Sequence, residues 1–124
     1  MRRIAVVEDN PDNRLLVRAL LERRFAVSEY ATGAAALEGL AAERPDLVLL
    51  DISLPGMDGL EVLRRMRADE RLGHVPVIAL TAHAMDADRR RFLDAGFDAY
   101  VAKPIIAEDE LLGAIERLLE AGEK

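Results

Sequence analysis

Short apolar runs alternate with longer amphipathic stretches along most of this chain. Residues 4–7, 47–50 and 77–80 are continuously apolar, a pattern that predicts strands buried on both faces. Residues 25–30 and 99–102 predict two further strands. Between and after these runs, apolar residues recur at helical spacing and predict helices at 12–24, 34–43, 59–68, 85–95 and 108–121. Asn10 stands where an N-cap belongs, with Pro11 in the first turn. Thr32 caps the second helix, which Pro45 cannot continue, and the third starts after Asp58. The last helix carries Leu111, Leu112, Ile115, Leu118 and Leu119, a stripe that one face of a sheet would cover.

Five strand–helix units in succession predict a parallel sheet with helices on both faces and right-handed crossovers. The expected architecture is a doubly wound α/β fold with strand order 2-1-3-4-5. In such a sheet ligands bind at the carboxyl ends of the strands, where the order reverses between strands 1 and 3. Strand 1 runs straight into Glu8 and Asp9, strand 3 into Asp51, strand 4 into Thr81 and strand 5 into Lys103. Taken singly, each has an ordinary reading as a cap, a turn former or a solvated charge. Their agreement at four strand ends points to a site.

The 124 residues suffice for one domain with its own core. A net charge of −6 repels a nucleic-acid backbone on average. The absence of Cys excludes disulfides and thiolate metal sites, and fits a reducing cytoplasm. No apolar stretch approaches membrane length, and the four-residue run after Arg2 and Arg3 is too short for a signal peptide. Of the 17 basic residues 15 are Arg, so the single internal Lys, Lys103, stands out.

Carboxylates without His or Cys partners suit a hard cation, and two or three of them with open water positions favour Mg²⁺. A shared cation also explains why adjacent carboxylates at Glu8 and Asp9 are tolerable. No glycine-rich nucleotide loop follows strand 1, so a phosphate would enter through the metal, Lys103 and Thr81.

The ordered set VVEDN, LVLLDISLPGMDGLEVLRRMR, VPVIALTAHAM and AGFDAYVAKPI resembles the receiver domain of two-component response regulators over essentially the whole chain. The stand-alone chemotaxis and cell-division regulators are the nearest type. The resemblance implies a flavodoxin-like sheet of five strands and five helices and a single receiver domain over residues 1–124 without an output domain. It implies that Asp51 is the phosphoacceptor, and that Glu8, Asp9, Asp51 and the backbone carbonyl of Ser53 hold Mg²⁺, for which Mn²⁺ can substitute. Lys103 would pair with the phosphoryl oxygens and Thr81 would hydrogen-bond them. The Lys103–Pro104 peptide is expected to be cis. Ser53 and His83 occupy the positions that tune dephosphorylation. Tyr100 occupies the aromatic switch position, although ordinary edge-strand packing explains it equally well. Arg89, Arg90 and Arg91 read as the solvated face of the fourth helix, which has few apolar residues to hold it.

The function implied is a phosphorylation-dependent switch that takes its phosphoryl group from a histidine kinase or a histidine phosphotransfer protein and then controls a downstream protein target. It would catalyse its own aspartyl phosphorylation and dephosphorylation, act in the cytoplasm without nucleic acid or membrane, and exist as a monomer or weak dimer. The alternative is a receiver fragment of a hybrid histidine kinase or of a larger regulator. An aspartyl-phosphate phosphatase would want a DxD arrangement after strand 1 and a cap domain, and DNPD in 124 residues offers neither. A degenerate receiver would lack a carboxylate or the Lys, and none is missing.

Overall fold

The computed structural model describes residues 2–82, 86–103 and 108–122. Its elements run β1 (Arg3–Val7), α1 (Pro11–Leu21), β2 (Ala26–Tyr30), α2 (Gly33–Ala42), β3 (Leu47–Asp51), α3 (Gly59–Ala68), β4 (Val77–Thr81), α4 (Asp86–Ala95), β5 (Ala99–Ala102) and α5 (Glu108–Gly122). The strands form one parallel sheet in the order β2-β1-β3-β4-β5. Both the elements and their order agree with the sequence reading.

The three N-caps act as expected. The Asn10 side chain accepts from the amides of Asp12 and Asn13, Thr32 from Ala35, and Asp58 from Glu61. The main boundary difference is at α1, which stops at Leu21 rather than running to residue 24. The amides of Arg24 and Phe25 both donate to the Leu21 carbonyl at 3.0 Å, closing a tight turn. That turn tucks Phe25 into the core, so its apolar character serves packing rather than the β2 ladder.

Alternate residues of the buried strands face opposite layers. Ala5, Val7, Val48, Leu50, Val77 and Ala79 pack against α2 and α3 together with Phe92 and Phe97. Ile4, Val6, Leu47, Leu49, Ile78, Leu80 and Val101 pack against α1 and α5. Burial on both faces is what makes the central runs continuously apolar, as in parallel sheets generally. On α4, Phe92 is fully buried and meets Phe97 edge to face at 6.1 Å. Leu93 stays partly exposed, so among the described side chains one aromatic anchors this helix.

Distant from the carboxyl edge, Arg67 staples the opposite ends of β4 and β5. Its guanidinium donates to the carbonyls of Gly73, Val75 and Gly96 and pairs with Asp98 at 3.0 Å. Asp98 in turn accepts from the Val77 amide.

The β3–α3 connection shows how closely the fold constrains the strand end. The Gly59 amide donates to the Ile52 carbonyl, closing the loop back onto β3. A Cβ at Gly59 would lie 2.5 Å from the Asp51 carbonyl oxygen and 2.8 Å from the Ile52 Cα. Both neighbours are backbone and cannot swing away. Gly56 is different: it adopts φ +74° with nothing near its missing Cβ. Gly59→Ala is therefore expected to destabilise the protein by about 1–3 kcal/mol through overpacking. Gly56→Ala should cost about 1 kcal/mol through backbone conformation alone. Urea unfolding of the two variants checks this, and amide shifts at Ile52 and Ser53 should change only in Gly59→Ala.

Candidate phosphoacceptor and metal site

The carboxyl edge of the sheet gathers the residues that the strand ends predicted. Asp51 closes β3, buried at 3% exposure, and Glu8 follows β1 at 1%. The Glu8 amide donates to the Tyr30 carbonyl, extending the β1–β2 contact by one residue beyond the strand. Asp9, the next residue, is exposed. Carboxylate oxygens of Glu8, Asp9 and Asp51 lie within 4.8 Å of one another. Thr81 ends β4, buried at 2% exposure.

Lys103 arrives from β5, placed by the hydrogen bond its amide donates to the Thr81 carbonyl at 2.8 Å. Its ammonium sits 3.1 Å from Glu8 Oε1 and 3.1 Å from Asp51 Oδ2, bridging the two buried carboxylates. The second Asp51 oxygen, Oδ1, accepts from the Ser53 amide at 3.0 Å. Both oxygens of the candidate acceptor are thus oriented by named donors.

The two buried carboxylates have opposite acidities. Burial, reinforced by Asp51, pushes Glu8 up to about 7 against the opposing pull of Asn13 and Lys103. Burial would also raise Asp51, but Glu8, the Ser53 amide and Lys103 outweigh it and hold Asp51 below its ordinary value. Burial works to lower Lys103, and its pairing with Asp51 and Glu8 raises it. At neutral pH Asp51 is therefore the ionised member and Lys103 is charged, while Glu8 carries a proton for part of the time.

This donor set fits Mg²⁺. All ligating groups are oxygens, and with every carboxylate ionised one ammonium faces three of them, a surplus that a divalent cation offsets. The described residues offer this one group of three or more His, Asp or Glu side chains close enough to share an ion.

Other expectations meet the structure unevenly. Ser53 is exposed, with its amide turned toward Asp51. His83 and Pro104 lie outside the described residues, so the tuning position and the expected cis peptide are not placed. Tyr100 is half-buried on edge strand β5 against the α2–α3 core face, and the Arg89 guanidinium lies 5.3 Å from its ring centroid. Arg89 therefore covers Tyr100 as well as solvating α4. Arg91 similarly lies 5.1 Å from the Phe92 ring.

Two residues escaped the sequence reading. Asn13 donates to Glu8 Oε1 at 2.7 Å, and Arg14 Nη1 donates to the carbonyls of Glu8 and Asp9 at 2.8 and 3.1 Å. The available signal was an Asn-Arg pair in the first turns of the helix that follows an acidic strand end.

The family model for the response regulator receiver domain matches residues 4–116. The chain belongs to that family. It is 43% identical over 103 residues to the polar-differentiation response regulator DivK of Brucella anthropi, covering 82% of this chain and 84% of the relative. The receiver domain of a sensor histidine kinase from Pseudomonas aeruginosa, solved with a magnesium ion in its active-site cleft, superposes with a TM-score of 0.87 at 38% identity, covering 96% of this chain and 98% of that one. A putative response regulator from Chloroflexus aurantiacus superposes at TM-score 0.90 and 26% identity, with coverage of 96% and 98%. Receiver domains serve two-component signalling through phosphorylation and bind Mg²⁺ in an acidic pocket. No helix among the described residues is long and apolar enough to cross a membrane.

Glu8 makes the receiver's stability depend on pH in a definite sense. Its folded value, about 7, lies above the ordinary 4.5. Its contribution is therefore fully present below about 4.5 and is lost as pH rises through about 7. In chelator, Glu8→Gln should stabilise the protein at pH 8 by on the order of 1–3 kcal/mol and change it little at pH 5. Melting curves at the two pH values check this. Lower stability of the variant at pH 8 would mean that pairing with Lys103 outweighs burial.

Proposed function

We propose that this receiver is a phosphorylation-dependent switch that accepts a phosphoryl group on Asp51 from a phosphohistidine donor. The observation that carries this reading is the Asp51 carboxylate itself: buried, held ionised, and oriented on one oxygen by Lys103 and on the other by the Ser53 amide. An ionised carboxylate attacks phosphorus without a general base. The Asp51 oxygen forms the new P–O bond while the donor's P–N bond breaks, and the electron pair of the broken bond stays with the donor imidazole. Glu8, Asp9, Asp51 and the Ser53 carbonyl would hold Mg²⁺, which supplies charge stabilisation to the phosphoryl oxygens. Mn²⁺ takes the same oxygen donors and can replace it. Lys103, already within reach of Asp51, exchanges part of its carboxylate pairing for the incoming phosphoryl oxygens.

Phosphorylation adds about −1.5 to −2 charge and new acceptor oxygens beside Thr81. The Thr81 hydroxyl, at the end of β4, donates to them and draws the end of β4 inward. Tyr100 and the Arg89 side chain over it lie on the next strand and helix, in position to report that movement. The output is a change in the surface offered to a downstream protein. The similarity to DivK favours a stand-alone regulator comprising this one domain. The 38% identity to the receiver of a sensor histidine kinase supports a second reading, a receiver within a hybrid kinase, and the site chemistry is the same in both. A cytoplasmic, monomeric or weakly dimeric protein that binds neither nucleic acid nor membrane is part of the proposal.

Two variants separate chemistry from signalling. Asp51→Asn should show no phosphoryl mass shift with a phosphorylated histidine phosphotransfer domain or acetyl phosphate plus Mg²⁺, while keeping the parent's fold by circular dichroism. A stable shift on the variant would move the acceptor elsewhere. Thr81→Ala should still be phosphorylated, because the nucleophile, Lys103 and the metal ligands remain. With beryllofluoride bound, parent amides across residues 89–100 should change in NMR, and those of Thr81→Ala should change much less. Equal responses would remove Thr81 from the switch.

A further inference from the structure

The β1 ladder ends at Val7, and α1 begins at Pro11, so the acidic pair sits on a connection of three residues. Several polar groups of that connection have defined partners. The Glu8 amide goes to Tyr30, and the Asn10 side chain is occupied as the N-cap of α1. The backbone carbonyls of Glu8 and Asp9 are both met by one atom, Arg14 Nη1, at 2.8 and 3.1 Å. Arg14 is half-buried, and its contact with the Glu8 carbonyl is partly shielded from water whereas that with the Asp9 carbonyl is exposed. A carbonyl's direction fixes the ψ angle of its own residue. Holding both carbonyls therefore restricts where the two Cα–Cβ bonds point, and so narrows the range of positions from which the two carboxylates reach toward Asp51. Asn13, the preceding residue, completes the arrangement by donating to Glu8 Oε1 at 2.7 Å.

We propose that Arg14 is a positioning residue for the metal site, holding the Glu8–Asp9 backbone so that their carboxylates converge on Asp51 before a cation arrives. The inference rests on the Mg²⁺-binding reading given above. Charge and geometry make opposite demands here, which is what makes the role testable. A guanidinium close to an acidic pair repels a divalent cation, so by charge alone its removal would strengthen Mg²⁺ binding. As a holder of the loop, its removal weakens binding, because outer contacts that orient metal ligands typically contribute about 10–100-fold in affinity. A residue that merely stabilises α1 would alter melting and leave Mg²⁺ affinity alone.

The test compares the parent protein with Arg14→Met, Arg14→Lys and Arg14→Gln by NMR titration with Mg²⁺ alone. Arg14→Met should bind Mg²⁺ about tenfold more weakly. Arg14→Lys keeps a charged donor on a long stem and should recover most of the loss. Arg14→Gln supplies the neutral comparison if Arg14→Met does not fold, and it too should bind more weakly than the parent. A neutral variant that binds Mg²⁺ as tightly as the parent, or more tightly, overturns the proposal. A second arm needs no metal. In chelator, exchange of the Glu8 amide, which donates to the Tyr30 carbonyl, should accelerate about tenfold in the neutral variant while the β3 amides keep their protection. Unchanged exchange at that amide also overturns it. A parent that fails to respond to Mg²⁺ would instead defeat the metal-site reading, and the exchange arm would still decide what Arg14 does to the loop.

Discussion

One ammonium between two buried carboxylates organises the working edge of this molecule. Lys103 stands 3.1 Å from both Glu8 and Asp51, residues far from it and from each other in sequence. Each group alone would be costly at that depth, since burial disfavours an unpaired charge. Together they are tolerable, but only while β1, β3 and β5 hold their ends level. The parallel sheet meets that requirement through its register, which brings Val7 beside Leu50, Asp51 beside Leu80 and Thr81 beside Ala102. The two core faces and the Arg67 staple at the far ends of β4 and β5 keep that register in place.

The cluster is also unequal in a useful way. Burial disfavours charge on both, yet Glu8 is pushed toward neutrality, whereas the donors around Asp51 outweigh its burial and keep it ionised. Two carboxylates in one pocket thereby divide into one that holds a proton more readily and one that stays ionised, as the proposed nucleophile requires. The division follows from where donors lie. Asp51 has the Ser53 amide and Lys103, while Glu8 has Asn13 and a share of the same Lys103. In the proposed phosphorylation, a phosphoryl group on Asp51 would disturb this balance, since Lys103 serves both carboxylates, and the charge change would reach Thr81, whose carbonyl accepts from the Lys103 amide.

Downstream of the site, the structure favours response over rigidity. Strands β1, β3 and β4 are buried almost throughout, but edge strand β5 is mostly half-buried. The described part of α4 is held to the core by Phe92, with Leu93 and the three arginines left to solvent. Elements with few buried apolar contacts open at low cost. Tyr100 and Arg89 lie together where such an element meets the edge strand, so the packing and the switch readings of Tyr100 are compatible.

How much of this was legible beforehand divides by the range of the interaction. The strands, the three N-caps and the strand order followed from local patterns, because burial on two faces and capping chemistry act within a few residues. That Glu8, Asp9, Asp51 and Lys103 gather at one edge followed as well, since a doubly wound sheet brings its carboxyl ends together whatever side chains they carry. The start of β2 falls one residue later than expected because Phe25 looks equally apolar whether it extends a ladder or fills a turn. What the tertiary structure alone decided were the unequal fates of neighbours. It buried Glu8 and exposed Asp9, aimed Lys103 at two carboxylates at once, and turned Arg14 back onto the loop before its own helix. Desolvation and hydrogen-bond direction set those outcomes, and both depend on atoms that distant segments supply.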